Sequence, residues 1–118
     1  MTFDYYYKQQ VDQFSFIRVP KLLITSYRFK SLDTNTKFLY GLLLDKMGQS
    51  RFNNWVDDYN RAYIVYPIKE IQDDLNVSKS TAIACLQKLE DFGLVEKKTV
   101  RAGLPTVLYV KNFVVEEK

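Results

Sequence analysis

At 118 residues, 47% hydrophobic and 26% charged, the chain has the size and balance of one globular domain with a real core. It holds no histidine and a single cysteine, so the usual general base, the commonest zinc ligand and any intrachain disulfide are all excluded. The net charge of +3 is too small to indicate a polyanionic partner by itself; the distribution says more, with the acidic excess confined to residues 31–75.

Residues 1–13 are polar and tyrosine-rich without hydrophobic periodicity, and read as an N-terminal arm. Residues 14–19 alternate as a short strand does, and Pro20 stops the run. Residues 21–25 are too few for an independent helix, yet Leu22, Leu23 and Ile24 need burial, which predicts a single turn packed on the core. Tyr27, Arg28 and Lys30 then form a basic, aromatic connection. It reads either as a patch that stacks on a base or covers a phosphate, or as a linker tucked against the core, and the linker is the expectation.

From Asp33 the pattern is helical. Asp33 or Ser31 caps the segment, Phe38, Leu39, Leu42, Leu43 and Met47 form its apolar face, and Gly48 ends it after about four turns. Leu44 lies off the stripe. Gly41 weakens the interior by ~1 kcal/mol relative to alanine, which marks a close helix–helix approach. After a polar loop at 49–54, Trp55-Val56 and residues 61–66 flank a turn-forming cluster at 57–60 and predict a β-hairpin, with residues 63–66 placed to pair with a later strand. Asp57 and Asp58 read as turn residues rather than a metal pair, because neither histidine nor cysteine accompanies them.

Residues 67–110 are the stretch that organises the rest. Pro67 precedes Ile68, Ile71 and Leu75 at helical spacing, Asn76-Val77 turns, and Ser78 is placed to cap a second helix from Lys79. Along that helix Ala82, Cys85, Leu86, Leu89 and Phe92 make one apolar stripe, with Leu86 and Leu89 expected against Leu39, Leu43 and Ile71. Ser80, Ala84, Gln87 and Asp91 lie opposite, with Lys79 and Lys88 at the edges. Gly93 supplies a left-handed cap, and residues 94–100 turn at 101–105 into 106–110. The fold class is therefore α+β: a winged helix-turn-helix over residues 14–113, with an extra N-terminal strand and a β-hairpin before its second helix. Residues 114–118 read as the start of a linker.

This arrangement points to double-stranded DNA. Ser78, Lys79, Ser80 and Thr81 are short polar side chains and one cation, suited to phosphates and base edges, and Ala84 lets the helix come close. Gln87 has the groups to pair with adenine. Ile83 either finishes the core or touches a thymine methyl, and core is the expectation. Lys88, Lys97, Lys98 and Arg101 read as positioning contacts, against the plainer alternative of solubilising surface cations. Catalysis finds no footing: Cys85 sits on the core stripe, Asp73 and Asp74 read as solvent-exposed, and Gly41, Gly48, Gly93 and Gly103 are too scattered for a phosphate-binding loop. No enzyme activity, cofactor or metal is expected. The sequence offers no secretory leader and no apolar run of the ~20 residues a membrane span needs, so a cytoplasmic location is expected.

Several runs carry a family likeness: residues 17–23 (Ile-Arg-Val-Pro-Lys-Leu-Leu), 40–47 (Tyr-Gly-Leu-Leu-Leu-Asp-Lys-Met), 55–57 with 63–66, and 74–81 through 109–113. Together they resemble the N-terminal domain of RepA-type plasmid replication initiators of Gram-positive, theta-replicating plasmids. The resemblance implies binding to repeated origin sequences as a homodimer, and a C-terminal domain, not matched in this chain, that contacts host replication proteins. It implies no catalytic residues. The helix-turn-helix part alone also fits a winged-helix transcriptional regulator, or a winged helix used as a protein–protein oligomerisation module. The aromatic surface of residues 5–19 exceeds what a three-helix core needs and is expected to take part in dimerisation.

Overall fold

The computed structural model describes residues 2–7, 15–49, 53–99 and 106–114. In chain order its elements are α1 (Lys21–Thr25), a 3-10 turn (Tyr27–Phe29), α2 (Thr34–Met47), β1 (Ile64–Val65), α3 (Ile68–Leu75), α4 (Lys79–Phe92), β2 (Val95–Lys98) and β3 (Val107–Val110). Helices α2, α3 and α4 pack on one another, and an antiparallel sheet of order β1-β3-β2 closes one side of the bundle. The predicted winged helix-turn-helix is this arrangement.

The caps explain where the helices begin and end. Asp33 accepts the Thr36 N–H at 2.9 Å ahead of α2, and Ser78 accepts the Thr81 N–H at 3.2 Å ahead of α4. Asn76 adopts left-handed φ 56°, ψ 51° between α3 and α4, a conformation that a short polar side chain tolerates, and Gly93 ends α4 at φ 95°. Leu39, Leu43, Ile71, Ala82, Leu86 and Leu89 are buried together between the helices, and Ile64 and Leu108 close the core from the sheet.

Helix α2 is rotated from the expected phase. Its buried positions are Thr36, Leu39, Tyr40, Gly41 and Leu43, whereas Phe38 is 43% exposed. The pull comes from Tyr40, whose hydroxyl donates to the Lys111 carbonyl oxygen at 2.6 Å while its ring meets Phe113 edge-on. Burial of that ring pushes the phenol up to about 12, so it stays a donor across the working pH range.

Of the strand expected at 14–19, residue 14 lies outside the described residues, and 15–19 are neither strand nor bridge; Phe16 is 70% exposed. Their fixed point is Gly41. A Cβ there would stand 2.9 Å from Val19 Cγ2 and 3.4 Å from the Arg18 carbonyl oxygen. Gly41 thus marks a close approach, but of the N-terminal segment rather than another helix. Gly41→Ala is expected to lower the melting temperature despite alanine's ~1 kcal/mol helical advantage, because overpacking typically costs ~1–3 kcal/mol. A thermal melt showing stabilisation would remove this account of Gly41.

In α1 only Leu23 is buried; Leu22 and Ile24 are 46% and 61% exposed, since a single helical turn offers the core one side. The 55–63 hairpin forms as expected, with a Val56–Ala62 bridge. Asp57 proves to be more than a turn residue. Its Oδ1 accepts the Tyr59 and Arg61 N–H groups, each at 2.9 Å, and its Oδ2 accepts Arg61 Nε at 2.8 Å and the Tyr109 hydroxyl at 3.0 Å. The hairpin is thereby tied to β3.

Candidate nucleic-acid interface

The exposed side of α4 carries Ser80, Ile83, Ala84, Gln87 and Asp91. Ile83, expected in the core, is 44% exposed: Ala82, Cys85, Leu86 and Leu89 already fill the buried arc, and position 83 falls about a sixth of a turn outside it. It therefore adds an apolar contact to the outward face. At the helix start Ser78 is occupied by its own cap, and its hydroxyl donates to Thr81 Oγ1 at 3.0 Å and lies 3.2 Å from Ser80 Oγ. Lys79 stands exposed beside them, with no ion pair among the described residues.

Two ion pairs frame this face. On one edge Lys88 Nζ donates to Asp33 Oδ2 at 2.7 Å, joining α4 to the start of α2. On the other, Lys97 of β2 lies 3.4 Å from Glu90 Oε2, joining α4 to the wing. Both lysines, expected to point at phosphates, have a carboxylate partner within the protein. Gln87 is likewise engaged, donating through Nε2 to Asp91 Oδ1 at 2.8 Å. Lys98 is exposed and has no ion pair among the described residues. Arg101, at the expected wing tip, lies outside the described residues.

Charge on the framing groups is strongly biased. The hydrogen bond from Lys88, then those from the Thr36 side chain and backbone, hold the Asp33 carboxyl at about 2, and Asp33 in turn raises Lys88. At Asp57 partial burial pushes upward, but the hydrogen bonds from Arg61, Tyr109 and Tyr59 prevail and leave it at about 2. The unfolded chain binds protons at these carboxyls near pH ~4, and the folded chain only near pH 2. Their contribution to stability is therefore complete above pH ~4 and is lost as pH falls from there toward 2. Melting temperatures measured across that window are expected to drop with acid, and Asp33→Asn to flatten the drop; an equally steep profile in the variant would contradict the assignment.

A cleft of about 330 Å³ opens between the start of α3, α4 and the sheet, lined by Tyr66, Ile68, Leu86, Lys97 and Leu108 among others. Among the described residues no group of three or more potential metal ligands occurs. None of their helices is long and apolar enough to cross a membrane.

A family model described as the N-terminus of replication initiator protein A matches residues 15–118. A 41 kDa protein of Lactobacillus helveticus is 29% identical over 91 residues, which are 77% of this chain and 26% of that protein. The chain thus spans about a quarter of the length of that curated relative. Among solved structures, an N-terminal domain of a DNA binding protein superposes with TM-score 0.80 at 29% identity, over 98% of this chain and 88% of that one. A Rep–DNA complex gives 0.79 at 30% identity, over 97% and 88%. A structure of an MDR initiator, at 22% identity and TM-score 0.76 over 97% of this chain and 90% of that one, shows the same fold.

Proposed function

The chain belongs to the replication initiator protein A N-terminal family, and from that membership we propose that it binds duplex DNA at repeated plasmid origin sites to start replication. The observation that carries the reading is the outward face of α4: small and polar at Ser80 and Ala84, bidentate-capable at Gln87, and flanked by cations on both edges. A helix ~10–12 Å across fits a major groove ~12 Å wide only where the side chains at its centre are short. Ser80 and Gln87 read bases, Ile83 packs on a thymine methyl, and Ser78, Lys79 and Thr81 sit at the phosphate where the helix enters. Lys88, Lys97, Lys98 and Arg101 position the domain without selecting sequence.

The ion pairs refine this division. Lys88 and Lys97 must leave Asp33 and Glu90 to meet phosphate, so their net gain is smaller than that of Lys98 and Lys79. Lys98→Ala is expected to weaken cognate and scrambled duplexes alike and lower the salt slope by about 1, with Lys97→Ala having the smaller effect. Gln87→Ala or Ser80→Ala should cost ~1–3 kcal/mol on the cognate site and little on a scrambled one. Titrations of each variant at two salt concentrations test this; if neither set alters binding, the face proposed is not the reading surface. A transcriptional regulator would show the same binding without origin repeats in its footprint, and an oligomerisation module would show no salt-dependent retention of duplex.

We assign assembly to the N-terminal segment. Phe3, Tyr5, Tyr6 and Tyr7 are 62–85% exposed, a concentration of aromatic surface suited to a second copy in a homodimer. Removing residues 1–13 is expected to shift sedimentation toward monomer and weaken DNA binding. In this reading residues 14–113 are the DNA-binding unit of a longer, cytoplasmic initiator whose C-terminal domain contacts host replication proteins.

A further inference from the structure

The wing lies on one edge of α4, and a cationic turn lies on the other. Phe29, at the end of the 3-10 turn, is buried with its ring 5.5 Å from that of Phe92, the last residue of α4. The Lys88–Asp33 ion pair ties the same edge of α4 to the start of α2 four residues further on. With Phe29 anchored, its neighbours face outward: Tyr27 is 81% exposed, Arg28 and Lys30 are exposed, and the Lys30 ammonium sits 5.0 Å from the centre of the Tyr27 ring. Ser26 accepts the Arg28 N–H at 3.3 Å and fixes the turn. Tyr27, Arg28, Lys30 and Ser31 line an open notch of about 390 Å³ with no carboxylate among them. The nearest acid in sequence, Asp33, has its oxygens taken by Lys88 and Thr36.

We propose that this turn is a second phosphate clamp, gripping the DNA strand on the side of the groove opposite the wing. The inference rests on the duplex-binding reading above and extends it to residues outside the helix-turn-helix. A helix lying in a major groove has one sugar–phosphate backbone along each flank, at a separation close to its own width. Lys97 and Lys98 meet one backbone. Arg28 and Lys30 meet the other, and the Tyr27 ring holds the Lys30 ammonium in place, as an aromatic face holds a cation.

The test uses the full chain and a mixed-sequence duplex of ~30 base pairs, about three helical turns. Arg28→Ala/Lys30→Ala is expected to lower affinity about tenfold and the magnitude of the salt slope by about 2, one for each lost phosphate contact. Arg28→Glu/Lys30→Glu should lower it further. Both side chains are exposed, so melting temperatures should stay at the wild-type value. Lys46→Ala, at the far end of α2, removes a cation without touching the clamp and should leave the slope unchanged. If the wild type binds and Lys98→Ala reduces the slope while the Arg28/Lys30 variants do not, the clamp is overturned and the duplex-binding reading stands. A slope that falls as much in Lys46→Ala also overturns it, since bulk charge would then be the cause. If the wild type retains no duplex at all, both readings fall together.

Discussion

Leu89→Ala is expected to cost ~2–5 kcal/mol, a large share of the ~5–15 kcal/mol that holds a small domain folded. Leu89 is fully buried on the stripe of α4 that packs against α2 and α3. Its deletion leaves a cavity with rigid walls on both sides, and the surrounding helices cannot close it without breaking their own contacts. Leu86→Ala makes the informative comparison. Leu86 is almost as buried, but it lines the cleft beside Tyr66 and Leu108, so truncation widens a space that already opens to solvent. Its cost should lie at the low end of the same range. Denaturant melts of the two variants decide the matter, and a larger loss for Leu86→Ala would show that the cleft is not open as described.

Ala84→Glu is expected to reduce duplex affinity by two orders of magnitude or more while leaving the melting temperature near wild type. Position 84 is exposed at the centre of the outward face, and glutamate is a good helix former, so folding has little at stake. Docked in a groove, the added carboxylate would face phosphates and base acceptors with no room to turn away, and like charges forced together cost several kcal/mol. Ala84→Lys separates bulk from charge, since it should lose sequence discrimination but keep non-specific binding. Undiminished binding by Ala84→Glu would move the contact surface off α4.

Much of this architecture was legible because it rests on local signals. The stripe of α4, the Ser78 cap, the left-handed Gly93 and the Asp33 cap each depend on residues within four positions of one another, which is the range that periodicity and capping rules cover. The phase of α2 was not legible. Tyr40 displaces Phe38 from the buried face because its hydroxyl finds an acceptor at Lys111, 71 residues away, and no pattern within α2 records that partner. The N-terminal strand failed for a related reason: alternation describes any extended segment, and a strand also needs an edge to pair with. In the candidate site, residue types and their faces were legible, except that Ile83 turns outward. The partners of Lys88 and Lys97 were not, because each ion pair depends on how α4 sits against another element. The turn at Tyr27–Phe29 shows the same limit, since only its contact with Phe92 separates the buried aromatic from the exposed one.

The single cysteine turns α4 into its own reporter. Cys85 is 2% exposed, on the inner stripe of α4, with its thiol out of reach of solvent reagents. A thiol-specific label can attach only when α4 lifts from the body of the domain or the whole domain unfolds, so the labelling rate relative to that of an exposed thiol gives the free energy of that opening wherever reclosing outpaces labelling. The native protein therefore carries a clock for the detachment of α4, with no engineered probe. Slower labelling of Cys85 with duplex present than without it would give, as the ratio of the two rates, the coupling between the proposed DNA occupancy and helix docking.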